Sequence, residues 1–241
     1  MRELEELWLA GNQGESMKGI RAPWLICLFL SGGVCAAADS PPSAADIQTW
    51  WSQNSDEKLM LSEPPVAIRL VSGELAYLQG AMFGGSRSRN QMFGMVIARP
   101  AEQQAREIPF LLGRYRKVLD LDEDGVSEVE TTRIETGGGV TYGHTSLVQF
   151  DGWEAVVLHQ STFENNEGMW GIHSHGYSAK ELDWQYVDLD ADGHTDLLET
   201  ITHKFGRNNR QPVVSASRYK YVFKSSKLVR LSEYRRNLPK P

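Results

Sequence analysis

The amino-acid sequence predicts a mainly β protein: repeated antiparallel β-meanders, propeller-blade-like or folded as a β-sandwich, with one short N-terminal helix. Three observations carry this. From residue 65 onward apolar and polar residues alternate with period two, as in PVAIRLV (65–71), ELAYLQGAMF (74–83) and QMFGMVIA (91–98). Tight-turn sequences punctuate the runs: GGSRSRN separates the last two of these, and Asp151-Gly152 sits between two further alternating segments. Third, one pattern occurs twice at an offset of 68 residues, each time as acidic loop, strand, Gly/Asn-rich turn, strand, tight turn, strand. A meander repeated at that spacing points to a blade-like all-β unit.

In chain order, residues 1–16 hold four glutamates and read as an upstream extension, with Met17 as the expected start. Residues 17–38 have the layout of a secretory signal peptide. Lys18 and Arg21 form a basic head, an apolar run extends from Pro23 to Val34, and Ala36-Ala37-Ala38 precedes the expected cut. The run is short for a bilayer span and is interrupted by Gly32-Gly33, so no transmembrane segment is expected after cleavage. The expected address is periplasmic or secreted. Both cysteines, Cys27 and Cys35, fall inside the signal. The mature chain is then without disulfide, thiolate zinc site or thiol nucleophile.

Residues 39–64 read as a helix and linker. Ser43 followed by Asp46 is a capping-box pattern, so 43–60 is expected to open as a short helix, closed by Pro64-Pro65. The domain from 65 to 241 then follows. Its strands at 65–71, 74–83 and 91–98 lead to a polar stretch, AEQQARE (101–107), read as a connector or a single helical turn. PFLLGRYRKVL (109–119) leads into the first acidic loop, and the two repeats span roughly 109–160 and 182–232.

The loops carry the chemistry. Asp120-Leu-Asp122-Glu-Asp124-Gly125-Val-Ser-Glu128-Val129 aligns with Asp188-Leu-Asp190-Ala-Asp192-Gly193-His-Thr-Asp196-Leu197. A hard cation such as Ca²⁺ takes about six to eight oxygen ligands at about 2.3–2.6 Å. Carboxylates at loop positions 1, 3 and 5 supply three, a backbone carbonyl at position 7 and an acid at position 9 add more, and Gly at position 6 permits the bend. Without a metal the crowded carboxylates repel one another. A single such loop would leave a solvated acidic turn without an ion open, whereas two of identical spacing favour Ca²⁺.

The second loop also fits the EF-hand expression, with Glu199 at its twelfth position, but the first has Thr131 there. Thr-Thr-Arg-Ile-Glu-Thr after the first loop is β-branched and runs into three glycines, a poor helix. Position 8 is polar (Ser127, Thr195), and the apolar residue comes at position 10 (Val129, Leu197). This arrangement resembles the FG-GAP or VCBS repeat of integrin-like β-propellers, over roughly residues 109–232. The resemblance implies structural calcium sites between strands. It assigns ligand roles to Asp120, Asp122, Asp124 and Glu128, and to Asp188, Asp190, Asp192 and Asp196, with backbone carbonyls from Val126 and His194. A role for Glu199 stays open. The chain departs from the family in length: a propeller needs at least four blades, and about three such units fit in 39–241. A sandwich or an open array of meanders is therefore the expected form.

Other signals are weaker. His173-Ser-His175 offers two imidazoles but no third ligand, within what reads as a turn. Gly137-Gly138-Gly139 lacks the lysine and helix start of a phosphate loop. Arg218–Lys224 interleaves basic and aromatic residues, which alternation sends to opposite faces of an ordinary strand. No GxSxG or HExxH motif is present. A net charge of −6 argues against general nucleic-acid binding. Charge is uneven, however: residues 39–200 balance to −15 and residues 201–241 to +10. The expected function is a non-catalytic binding or assembly module of the cell envelope, with calcium and an envelope protein or anionic glycan as partners. Two rivals stay open. One is an envelope hydrolase whose acids come from distant segments. The other is an anion- or glycan-binding module using the basic C-terminal region, including Arg207 and Arg210.

Overall fold

In the computed structural model the described residues are 40–84, 92–109, 112–167, 176–206, 212–224 and 227–231. The signal segment, both cysteines, His173, His175, Arg207 and Arg210 lie outside them. Among the described residues no helix is long and apolar enough to cross a membrane.

Helix α1 (Ala44–Ser52) begins where the capping box places it. The Asp46 amide donates to Ser43 Oγ at 3.2 Å, and the Ser43 amide donates back to Asp46 Oδ2 at 2.9 Å. The helix is shorter than the 43–60 reading. Its last residues give way to a strand, β1 (Leu59–Leu61), which pairs with the end of β3 (Leu75–Phe83). Strand β2 (Val66–Arg69) pairs with the start of β3, then β4 (Met92–Arg99) and β5 (Gln104–Glu107) complete a five-stranded antiparallel sheet. Strand β5 corrects the reading of 101–107 as a connector. Four residues carry little periodicity, yet Ala105 is fully buried opposite Ala98.

The second sheet has eight strands in chain order: β6 (Arg114–Leu119), β7 (Glu128–Gly137), β8 (Val140–Asp151), β9 (Glu154–Asn165), β10 (Tyr177–Val187), β11 (Asp196–Gly206), β12 (Val213–Lys224) and β13 (Lys227–Arg230). Every pair is antiparallel, as short connections dictate. The β9–β10 joint is different from the rest. It consists of two register pairs, Ala179↔Asn165 and Lys180↔Glu164, although both strands are long. This narrow joint lets the sheet turn back, and residues on both sides of it share one core.

Three apolar clusters result. Ile47 and Trp51 of α1 pack on Tyr77, Ala81, Phe83, Val96 and Ala98, one face of the five-stranded sheet. The other face, with Ile68, Leu78, Met95 and Ile97, packs against Val129, Val148 and Phe150 of β7 and β8. The opposite face of β8, at Leu147, joins Leu121 with Trp184, Leu197 and Phe223. The alternation Leu147/Val148 thus serves two cores. This is why β7 and β8 are buried on both sides near the acidic loops.

Candidate metal centre

Each acidic segment is the connection between two antiparallel strands, β6–β7 and β10–β11. Both close in the same way. The Gly125 amide donates to Asp120 Oδ2 at 3.2 Å, and the Gly193 amide to Asp188 Oδ2 at 3.1 Å. The Val126 amide donates to Asp124 Oδ1 at 2.7 Å, and the His194 amide to Asp192 Oδ1 at 3.0 Å. These are Asx-type bonds in which short acidic side chains satisfy loop amides. At position 4 both loops enter the left-handed region with a non-glycine residue, Glu123 at φ 58° and Ala191 at φ 62°. At position 6 glycine takes φ 83° and 91°, where a side chain is strained.

Each loop is also tied to the layer before it. The Ser127 amide donates to Arg69 O at 2.9 Å, and the Arg69 amide donates back to Ser127 Oγ at 2.9 Å. At the same position of the second loop, the Thr195 amide donates to Leu121 O at 2.8 Å. Position 8 thus ties the first loop to β2 through the amide and hydroxyl of Ser127, and the second loop to the first through the backbone amide of Thr195. In the first loop the hydroxyl of Ser127 accounts for a polar residue where an EF-hand carries an apolar one.

The loops bring carboxylates together. One oxygen from each of Asp120, Asp122 and Asp124 lies within 4.8 Å of the others, and the same holds for Asp188, Asp190 and Asp196. Asp122 Oδ1 and Asp190 Oδ1 are buried without a hydrogen-bond partner. A buried carboxylate oxygen without a donor is costly, and a cation of the right size removes that cost. Burial first, then the charge of Asp124, pushes the Asp122 carboxyl above its ordinary range. Oxygen-only donor sets of this kind suit Ca²⁺ or Mg²⁺ rather than softer metals.

The position-9 acids differ from the simple reading. Glu128 is fully buried and is not in the first cluster: its Oε2 accepts the Leu121 amide at 2.7 Å and its Oε1 accepts Gln149 Nε2 at 2.6 Å. Burial pushes the Glu128 carboxyl up to about 7, against those two donors and helped by the charges of Asp122 and Asp124. Asp196 makes the equivalent pair of bonds, from the amides of Leu189 at 2.9 Å and Phe223 at 2.8 Å, yet remains within its cluster. Its carboxyl is also raised, first by burial. Asp192 is turned to Lys224, whose ammonium also reaches Asp190 Oδ2 at 3.2 Å. Nothing in the local loop pattern announces Lys224 or Gln149, because both arrive from other strands.

Glu199 belongs to a different constellation. It is 1% exposed and accepts from Trp184 Nε1 at 3.2 Å and Tyr221 OH at 3.3 Å, with His159 Nε2 at 3.5 Å. The His159 ring lies 4.4 Å from the Tyr221 ring and 5.4 Å from that of Trp184, centroid to centroid. Burial alone would raise the Glu199 carboxyl. The neighbouring His159 imidazole and hydrogen bonds from Ser161 and Trp184 outweigh it and hold the group at about 2. Glu130, among the described residues the other buried acid outside the loops, accepts from Tyr186 OH at 2.9 Å. A shallow groove of about 380 Å³ lies towards the far ends of β7, β8 and β9, beside Arg133, Tyr142, His144, Phe163 and Lys180. Neither Glu130 nor Glu199 lines it, and its polar groups bond to one another, Tyr142 OH to Glu135 at 2.6 Å and Lys180 Nζ to Thr162 at 3.1 Å.

No protein-family model, curated protein or solved structure matches this chain.

Proposed function

We propose that this is an exported, Ca²⁺-binding β-repeat protein of the FG-GAP/VCBS kind, periplasmic or secreted, acting as a non-catalytic binding or assembly module of the cell envelope. The observation that carries the calcium reading is the recurrence of one loop geometry at two places. The same Asp–Gly bond, the same left-handed fourth residue and a three-carboxylate cluster occur in each. In this reading Asp120, Asp122 and Asp124 hold one ion and Asp188, Asp190 and Asp196 another. Glu128 shapes its loop from behind by fixing the Leu121 amide. The ions neutralise carboxylates that otherwise repel and so brace the β6–β7 and β10–β11 connections.

The test is thermal unfolding of the full chain in EDTA and across a calcium titration, with Asp120→Ala and Asp188→Ala alongside. A ligand that binds only the folded state adds about 2.7 kcal/mol at a hundredfold excess over its Kd. A calcium-dependent rise in Tm that each variant reduces is the expected result. A Tm indifferent to calcium removes the reading.

A further inference from the structure

We propose that Lys224 is a tethered cation that makes the two acidic loops unequal, so that the second takes up Ca²⁺ only by displacing a built-in ammonium. This rests on the calcium reading above. The Lys224 ammonium comes from the end of β12 and sits between two carboxylates of the second loop, bonded to Asp192 and 3.2 Å from Asp190 Oδ2. Its side chain is 25% exposed and those of Asp190 and Asp192 are 16% and 28% exposed, so water only partly screens the pair. The consequence is visible in the clusters: the fifth-position acid belongs to the first, as Asp124, and is missing from the second, where Asp192 faces Lys224.

The first loop lacks this device. None of the ion pairs among the described residues involves Asp120, Asp122 or Asp124. The register shows what stands in its place. The position-10 residues are Val129, opposite Val148, and Leu197, opposite Tyr221. Three residues beyond those partners come Asp151 in the first case and Lys224 in the second. The closing pair of the adjoining hairpin is Asp151↔Glu154 beside the first loop and Lys224↔Lys227 beside the second. The same structural position therefore carries opposite charge. Arg69 passes beside Gly125 of the first loop but its guanidinium donates to Gly73 O, so among the described residues the first site's carboxylates have no ion-pair partner, whereas the second is already part-neutralised. One unit charge at contact distance is worth about a factor of ten in affinity even at the dielectric of a solvated site, which sets the lower bound for this partly screened pair.

The experiment is a calorimetric CaCl₂ titration of the chelator-stripped full chain: wild type, Lys224→Met and Lys224→Arg. The Asp120→Ala and Asp188→Ala variants assign each binding event to a loop. The expected result is a tight event at the first loop and a second at least tenfold weaker. Lys224→Met should tighten only the second, by about tenfold, and Lys224→Arg should retain the weak one. In EDTA, Lys224→Met should also lower Tm, with calcium restoring it. Ion binding at both loops with affinities that Lys224→Met leaves unchanged overturns the inference while the calcium reading stands. No binding in any form overturns both.

Discussion

Replacing Glu199 by glutamine should remove a clasp between β9 and the strands β10 to β12, and the loss should depend on pH in a predictable direction. The Glu199 carboxyl titrates at about 2 in the fold against an ordinary 4.5. Burial works against this, and the nearby His159 imidazole with the donors on Ser161 and Trp184 reverses it. A carboxyl lowered on folding contributes stability that is complete above the unfolded value and is lost as pH falls from about 4.5 towards 2. At about 1.4 kcal/mol per unit, the difference amounts to roughly 3 kcal/mol near neutral pH. Glu199→Gln retains an acceptor for Trp184 or Tyr221 but no longer titrates. Urea denaturation of both proteins at pH 6, 4 and 2.5 in EDTA reads the effect. The variant should be less stable by roughly 3 kcal/mol at pH 6, and the gap should close towards pH 2. In a domain of this size that corresponds to a Tm difference of about 6–12 °C. A gap of the same size at all three pH values would show that the loss is one of packing, and equal stability at pH 6 would refute the electrostatic reasoning outright.

Two further expectations concern the scaffold. A Cβ at Gly143 would lie 2.0 Å from Arg133 O and 2.6 Å from Phe163 Cζ, whereas one at Gly137 meets nothing within 4 Å. Gly143→Ala should therefore cost about 1–3 kcal/mol or more in denaturant unfolding, with Gly137→Ala close to neutral; equal effects would contradict the described close approach. Ser43→Ala removes one side of the capping box and should cost about 1 kcal/mol, measured by the same assay, because the Asp46 amide loses its acceptor.

Much of the architecture is legible in the amino-acid sequence alone. The capping box placed the start of α1 at the right residue because its two bonds span three positions of chain. The alternating runs at 65–71, 74–83 and 91–98 contain β2, β3 and β4, since a half-buried strand imposes its period on adjacent residues. The misses are short edge elements. β1 and β5 have three and four residues and, unlike β2, sit in no longer alternating run, so their pairing is decided by β3 and β4. Within the loops, the bonds from Gly125 and Gly193 to the first aspartate lie inside one turn of chain, so spacing alone anticipated them.

What the sequence determined by itself is therefore local: where the helix starts, which runs extend, and that two loops of equal spacing crowd their carboxylates. Those outcomes depend on sterics and hydrogen bonds among residues a few positions apart. What only the tertiary structure decided is which distant groups meet those loops. Gln149 reaches Glu128 from β8, Lys224 reaches Asp190 and Asp192 from β12, and the Thr195 amide joins the second loop to the first at Leu121 O. The first two contacts follow from the register of neighbouring strands, and the third from the layers folding back at the β9–β10 joint. A one-residue slip would turn every side chain to the other face, so the partner of a loop carboxylate is fixed by pairing across the sheet and not by the loop.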